Sequence, residues 1–267
     1  MKHKLIRALL ALFLLAAGFP VFGNGFVSEA ITDYGVKITD LSFVMMFLCV
    51  IFFVLVVGVI GYCLWKFRAT GPGQEGAKIH GFPALEIVWT VVPALIMLWL
   101  GAISSVLVIQ QLNPPAQTLL IKVTGYQFGF NFEYFDSNTA FDTNSSDIKV
   151  EKNICGNPAV SVKIKSLNVK TTDDFTIPKG TDIRFLTTAK DVIHSFWVPE
   201  FLVKRDMVPG LVGDFWINAI KTGDFTAKCA ALCGASHGVM VAKLHVVEKQ
   251  DFETWLAAQA AASPQAN

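Results

Sequence analysis

The stretch Leu41–Trp65, LSFVMMFLCVIFFVLVVGVIGYCLW, contains no charged residue over its 25 positions. As an α-helix with a rise of 1.5 Å per residue it would be about 37 Å long, more than the roughly 30 Å hydrocarbon core of a bilayer. A second uncharged run, Ile87–Ile109, contains Pro93, which membrane helices tolerate. Two buried core helices would need a far larger soluble domain around them. We therefore predict membrane-spanning helices over 41–65 and 87–109.

The overall composition agrees with a membrane protein. Of the 267 residues, 53% are hydrophobic and 16% are charged, a low share of charge for a soluble protein. The net charge of +1 provides no basic field that would attract nucleic acid. We therefore expect no nucleic-acid partner.

The N-terminus has the pattern of an export signal. The basic start MKH precedes a short apolar run that Gly18 and Pro20 interrupt, and the residues VFG at 21–23 suit cleavage. Residues 1–23 are therefore predicted to be a signal peptide. The alternative is a third, uncleaved membrane helix.

Charges beside the two spans predict their orientation. Three basic residues and one acid lie between the spans: Lys66, Arg68, Lys78 and Glu75. Positively charged loops remain in the cytoplasm, so the loop 66–85 is predicted to be cytoplasmic. Residues 24–114 would then form a transmembrane hairpin, and residues 115–267 one extracytoplasmic domain.

The chain after residue 115 has the pattern of short strands and turns. Segments such as TLLIKVTGYQFGFNFEYF (118–135) are rich in aromatic and β-branched residues, and turn sequences such as NPP and KTGD separate them. An all-β domain is predicted, either an antiparallel sandwich or a Greek-key barrel. Residues 250–262 are predicted to form a short helix.

One loop near the C-terminus collects soft metal ligands. KCAALCGASHGVMV (228–241) supplies two thiols, an imidazole and a thioether, from Cys229, Cys233, His237 and Met240. The segment DVIHSFWVPEF (191–201) supplies His194. Such a set favours copper or zinc over calcium and magnesium, and a thioether is a poor zinc ligand.

The number of thiols distinguishes between kinds of copper site. A mononuclear blue-copper centre uses two histidines, one cysteine and a weak axial methionine. The second cysteine allows two sulfurs to bridge two coppers, which would share one unpaired electron and change their bond lengths little on electron transfer. The alternatives are a Cys229–Cys233 disulfide, Met240 as a core residue and His194 as an ordinary strand histidine.

The two motifs together resemble a known family. DVIHSFWVPEFLVKRDMVPG (191–210) and the spacing C-x3-C-G-x2-H-x2-M follow two membrane spans, and in this order they resemble subunit II of the haem–copper cytochrome c oxidases. The resemblance covers nearly the whole chain. It implies a two-helix transmembrane hairpin followed by an all-β, cupredoxin-like Greek-key sandwich or barrel that carries a dinuclear copper A centre.

The resemblance also implies a role for each ligand. The six predicted ligands are the bridging thiolates of Cys229 and Cys233, the imidazoles of His194 and His237, the axial thioether of Met240 and the backbone carbonyl of Ala231. The family usually has a glutamate at position 231, whose carboxylate helps to hold a magnesium ion between the large subunits. Because alanine has no carboxylate, a magnesium ion is doubtful here. His80 and His245 lie outside the motif and are predicted not to bind metal.

A second departure concerns the aromatic residues that receive electrons. In the family a tryptophan in the segment corresponding to 125–134 accepts electrons from cytochrome c. Phe128 and Phe130 hold the tryptophan positions in this chain, and Gly129 holds an aromatic one. Both phenylalanines are candidates for contact with the electron donor; the alternative is that they are strand core residues.

Four further residues are candidates for functional roles. Glu86 begins the second span, where the family has a glutamate at the mouth of a proton channel, and the alternative is a carboxylate that stabilises the helix dipole. Lys204, Asp206 and Trp197 are predicted to orient the ligands or to contact a partner subunit. A simple surface ion pair is the alternative for Lys204 and Asp206.

The predicted function is that of the electron-accepting subunit of a terminal oxidase in a bacterial inner membrane. The resemblance implies a c-type cytochrome as donor, subunits I and III as partners, and haem in the partner, where oxygen is reduced and protons are translocated. The alternatives are a copper A subunit of a nitric oxide reductase, a quinol oxidase subunit and a membrane-anchored protein that delivers or stores copper. The chain has no C-x-x-C-H motif for covalent haem.

Overall fold

A computed structural model describes residues 28–69, 71, 73, 76, 81–113, 115, 119–136 and 165–262. The predicted signal peptide and His80 lie outside the described residues. The chain divides into two compact units. One contains Thr39–Val106, and the other contains Ser28–Ile38 together with the chain from Leu107 onward.

Two long helices account for the apolar runs. Helix α1 spans Asp33–Lys66 and helix α2 spans Pro83–Leu112. Both are long and apolar enough to cross a membrane. Each extends beyond the predicted span because hydropathy marks only the part of a helix that lipid can cover, whereas a polar turn at either end can continue the same backbone hydrogen bonds.

Thr32 defines the start of α1. Its hydroxyl oxygen accepts a hydrogen bond from the Gly35 backbone N–H at 3.0 Å, as an N-cap residue does. The same hydroxyl donates to the carbonyl of Phe201 at 3.2 Å, and Thr32 forms an isolated bridge with Ala219. The fully buried Thr32 therefore caps the helix and also attaches its first turn to the β-rich unit.

The second unit contains a sandwich of two five-stranded sheets. Its strands are β1 (Leu119–Tyr126), β2 (Gly129–Asp136), β3 (Lys165–Thr172), β4 (Asp174–Pro178), β5 (Asp182–Ala189), β6 (His194–Val198), β7 (Val203–Met207), β8 (Gly213–Asn218), β9 (Gly223–Cys229) and β10 (Val241–Val247). One sheet has the order β3–β2–β1–β5–β8 and the other β4–β10–β9–β6–β7. Helix α3 (Lys249–Ala262) follows, as predicted.

The predicted cupredoxin-like all-β domain is confirmed, with one correction to its strand pairing. Strand β1 pairs with β5 in parallel, and β10 pairs with β4 in parallel, although the sequence suggested an antiparallel sandwich. Parallel neighbours are joined by long connections rather than by tight turns. The alternation of apolar and polar residues along a strand does not indicate which distant strand pairs with it.

Aromatic rings fill the space between the sheets. Phe185 stacks on Phe215 with ring centroids 4.9 Å apart, and Phe196 meets Phe130 edge-on at 5.6 Å. Phe196 and His194 lie on the same short strand, β6. Because packed aromatic interiors resist displacement, this core also restrains the strand that carries His194.

Candidate metal centre

Strand pairing brings the two ligand-bearing segments together. His194 is the first residue of β6 and Cys229 is the last residue of β9. The two strands are antiparallel neighbours, with Phe196 opposite Cys229. The loop that leaves β9 then contains Cys233 and His237 before the chain re-enters the sheet in β10. Residues far apart in the sequence thus meet at one end of one sheet.

The structure places the six predicted ligands close together. The separations are 3.8 Å for Cys229 Sγ to Cys233 Sγ, 3.8 Å for Cys229 Sγ to His194 Nδ1, 3.6 Å for Cys233 Sγ to His237 Nδ1, 3.8 Å for Cys233 Sγ to Met240 Sδ and 3.3 Å for Cys229 Sγ to the Ala231 carbonyl oxygen. Each thiol therefore has its own imidazole nitrogen nearby. The assignment of these residues as copper ligands stays a prediction.

The donor set fits a metal site in which both thiolates bind the same ion. Metal–thiolate bonds are about 2.3 Å long, so two sulfurs on one ion can be separated by at most about 4.6 Å, and 3.8 Å is within that limit. Both thiols are free, whereas a disulfide would require about 2.05 Å. Cys229, Cys233, Met240 and His194 are all buried. Soft donors in a water-poor environment suit copper.

Asp191 controls the orientation of the His194 imidazole. His194 Nε2 forms a hydrogen bond of 2.8 Å to Asp191 Oδ1, while Nδ1 faces Cys229. If Nε2 carries the proton, Nδ1 has a free lone pair for a metal. Asp191 also accepts hydrogen bonds from the backbone N–H groups of Gln127 and Val192, both at 2.7 Å.

The charge on Asp191 is strongly favoured. Burial by itself would raise its pKa, but the hydrogen bonds from His194, Gln127 and Val192 outweigh that effect and lower the pKa to about 2. The sequence interpretation missed Asp191 as a site residue. Its position three residues before His194, at the start of the quoted motif, was the available signal.

The Cys233 thiol holds its proton firmly when no cation is present. Burial, followed by the hydrogen bond and the charge of Cys229, raises the pKa of Cys233 to about 11. A metal ion that binds this sulfur as a thiolate must displace that proton. Cys233 is therefore poorly suited to act as a free nucleophile at neutral pH.

The other predicted site residues lie in three different environments. Phe130 is completely buried, which agrees with the strand-core alternative, and the electron-entry role of the two phenylalanines stays a prediction. Phe128, in the turn between β1 and β2, is partly buried against the core. Lys204 Nζ lies 3.9 Å from Asp206 Oδ1, with both side chains more than half exposed, which has the geometry of a surface ion pair. Trp197 is 36% exposed.

Two further residues that the sequence singled out are Glu86 and His245. Glu86 is in the first turn of α2, and a Cβ at Gly81 would be only 2.9 Å from its carboxylate. His245 lies on β10, with Nδ1 2.6 Å from Asp224 and Nε2 3.3 Å from Asp174. His245 is thus paired with two carboxylates and not with the thiols.

Comparison with known proteins identifies the family. Residues 24–107 match the family described as cytochrome c oxidase subunit II, transmembrane domain, and residues 119–247 match its periplasmic domain. A probable cytochrome c oxidase subunit 2 from Rickettsia bellii is 33% identical over 204 residues, which cover 76% of this chain and 72% of that protein. The chain belongs to the cytochrome c oxidase subunit II family. It is thus a membrane protein with a periplasmic domain, and its His194–Cys229–Cys233 cluster is compatible with a copper site.

Other members of the subunit II family are similarly related. A probable cytochrome c oxidase subunit 2 from Rickettsia prowazekii is 34% identical and covers 76% of this chain, and the chain spans 61% of that protein's length. Subunit 2 from Cereibacter sphaeroides is 31% identical, covering 73% of this chain and 67% of that protein. A solved periplasmic domain of subunit II from Bradyrhizobium japonicum is 27% identical, covers 57% of this chain and 99% of that one, and has a TM-score of 0.41.

Proposed function

We propose that this chain is the electron-accepting subunit of a terminal respiratory oxidase and that Cys229 and Cys233 hold a dinuclear copper centre. One observation carries the proposal: two buried, free thiols lie 3.8 Å apart, and each has a histidine Nδ1 within 3.8 Å. The pairing of one imidazole with each sulfur gives the two metal positions of the site similar surroundings. With copper bound, such a centre would accept one electron at a time and pass it on.

The roles of the side chains follow from their positions. Cys229 and Cys233 would bridge the metals, and His194 and His237 would each bind one metal on the outer side. Two weaker donors, the thioether of Met240 and the carbonyl of Ala231, already lie near the sulfurs. All six donors of the proposed centre would come from the chain, so that no ligand position would be left for a substrate. The arrangement therefore suits electron transfer better than chemistry at the metal.

Two backbone hydrogen bonds restrain the loop that carries the thiols. The backbone N–H of Cys229 donates to the Met240 carbonyl at 3.1 Å, and that of Ala230 donates to the Ser195 carbonyl at 3.0 Å. The first bond ties the two ends of the loop together, and the second ties the loop to β6. A site that cannot relax keeps its ligand geometry in both oxidation states, which lowers the cost of reorganisation.

The wider assembly is part of the same proposal. A c-type cytochrome would donate electrons on the periplasmic side near Phe128, and haem in subunit I would receive them, with subunit III as a further partner in a bacterial inner membrane. Glu86 is the proposed position for proton uptake, with the loop 66–85 in the cytoplasm and residues 1–23 removed as a signal peptide. Lys204, Asp206 and Trp197 would contact the partner subunit. Without a carboxylate at Ala231, this chain would not contribute that ligand to a magnesium ion.

Metal content and spin resonance test the proposal. The full-length protein in detergent should bind two copper ions, and its electron spin resonance spectrum should show one unpaired electron shared by two copper nuclei. Cys229→Ser and Cys233→Ser should each abolish that spectrum. Cys63→Ser, which alters an exposed thiol in α1, is the matched control and should leave it unchanged. A four-line spectrum of a single copper, or zinc in place of copper, would refute the dinuclear assignment.

The terminal substrate needs a separate measurement. The purified complex should consume oxygen when a reduced c-type cytochrome is supplied, with four electrons used for each oxygen molecule. Nitric oxide consumption without oxygen consumption would instead support a nitric oxide reductase with the same copper-binding subunit.

A further inference from the structure

Gln127 connects the two segments that carry the candidate ligands. It lies in the turn between β1 and β2. Its side-chain amide Nε2 donates a hydrogen bond to the Cys233 carbonyl at 2.6 Å. Its backbone N–H donates to Asp191 Oδ2 at 2.7 Å, and Asp191 Oδ1 in turn holds His194 Nε2. One residue therefore contacts both the thiol loop and the group that orients an imidazole.

The turn and the thiol loop are packed without spare room. Gly234 has a φ of +141°, and a Cβ at this position would lie 2.9 Å from Gln127 Nε2 and 3.1 Å from the Phe128 ring. Only glycine permits this approach. The short hydrogen bond from Gln127 to Cys233 thus forms where the Gln127 and Phe128 side chains lie close to the backbone of the thiol loop.

Restraint of the Cys233 carbonyl also restrains its sulfur. The peptide unit is planar, and only two soft dihedral angles separate it from the next unit. Strand β9 already holds Cys229, whereas Cys233 lies in the loop between β9 and β10. A hydrogen bond to the Cys233 carbonyl therefore reduces the freedom of that thiol relative to Cys229.

We propose that Gln127 is a positioning residue that sets the placement of the Cys233 thiolate relative to the His194 imidazole, and so the stability and electronic structure of the copper centre. The inference rests on the proposed function. It assigns to Gln127 a role through other residues, since its side chain donates to the carbonyl of Cys233.

The test compares three forms of the full-length, copper-loaded protein in detergent. Gln127→Met removes the amide donor but keeps a side chain of similar length and the backbone N–H bond to Asp191. It should still bind two coppers, lose them to a chelator at least threefold faster than wild type, and show altered copper hyperfine splitting and a shifted reduction potential. Gln250→Met, on the exposed surface of α3, is the matched control and should match wild type in all three measurements.

A second variant guards against misfolding. Gln127→Asn keeps the amide but is one methylene shorter, so it should not reach the Cys233 carbonyl and should reproduce the faster copper loss. If both variants release copper at the wild-type rate with wild-type spectra, the positioning role is wrong. The wild-type spectrum reports on the dinuclear centre and the difference between variant and wild type reports on Gln127, so the two proposals can fail separately.

A metal-free measurement gives an independent result. Nuclear magnetic resonance of the wild-type protein before copper is added should detect the coupling between Gln127 Nε2 and the Cys233 carbonyl carbon through their hydrogen bond. The presence of this coupling in the copper-free protein supports a preformed site. Its absence would overturn the proposal.

Discussion

Asp191 Oδ1 and His194 Nε2 are joined by a hydrogen bond of 2.8 Å within a single turn at the start of β6. His194 is completely buried, while the Asp191 side chain is about one-third exposed. The carboxylate therefore connects a buried candidate ligand to the surface of the domain. Because a bond at one ring nitrogen determines which nitrogen is free for metal, a change at Asp191 should alter copper binding at His194.

Asp191→Ala should lower copper affinity by roughly 10–100-fold, the usual effect of removing a carboxylate that orients a histidine ligand. Asp191→Asn keeps an oxygen that can accept a hydrogen bond from His194 Nε2–H but loses the negative charge. The copper affinity of this variant should therefore be intermediate. Titration of the loaded protein against a competing chelator measures both. Wild-type affinity in Asp191→Ala would show that the core alone orients the imidazole.

Gly125→Ala should disturb the centre without altering a ligand. A Cβ at Gly125 would lie 3.1 Å from His194 Cδ2 and 3.2 Å from its Cβ and Cγ, and the buried ring cannot move into solvent. We expect a changed copper spectrum and a loss of about 1–3 kcal/mol in stability, typical of overpacking. Gly238→Ala is the control in the thiol loop, because a Cβ there meets nothing within 4 Å. Identical spectra for the two variants would contradict the prediction.

Tyr134→Phe should destabilise the β domain and leave the copper spectrum intact. The buried Tyr134 hydroxyl donates to the Thr176 carbonyl and accepts from the Thr176 backbone N–H, both at 3.0 Å, and burial raises its pKa. Phenylalanine would leave both backbone groups of the edge strand β4 unsatisfied, at a cost of about 1–3 kcal/mol. Chemical denaturation followed by near-ultraviolet circular dichroism measures the loss. Tyr62→Phe in α1 should not change that transition.

Glu133 should contribute stability that depends on pH. On the sheet surface its carboxylate lies 3.3 Å from Lys122 Nζ and 3.1 Å from Lys170 Nζ. Burial would raise the Glu133 pKa, but the charge of Lys122 and the hydrogen bond and charge of Lys170 outweigh it and lower the pKa below 4.5. The stabilisation is therefore fully present above pH 4.5 and is lost as the pH falls through the lowered folded-state pKa.

The matched variant for this test is Glu133→Gln. At pH 7 it should be less stable than wild type by about 1 kcal/mol or less, since Lys170 is well exposed. The difference in melting temperature between the two proteins should shrink as the pH is lowered toward 3. A difference that stays constant from pH 7 to pH 3 would show that the ion pairs contribute nothing.

Several features could be predicted from residue order alone because they depend on neighbours along the chain. The uncharged runs 41–65 and 87–109 predict spanning helices, because every residue within the hydrocarbon core must be compatible with lipid and every backbone group must be paired within the segment. Likewise, the spacing of Cys229, Cys233 and His237 predicts a metal-binding loop, because residues a few positions apart cannot separate far.

Other features depended on which strands became neighbours. Three such features each depend on segments that are dozens of residues apart in the sequence. They are the parallel pairing of β1 with β5, the burial of Phe130, and the contacts of Gln127 with Asp191 and Cys233. Hydrophobic alternation indicates that a strand has a buried face, but it carries no information about the partner that covers that face. The candidate ligands could therefore be proposed from the sequence, whereas the contacts of Gln127 with Asp191 and Cys233 emerged only from packing of the two sheets.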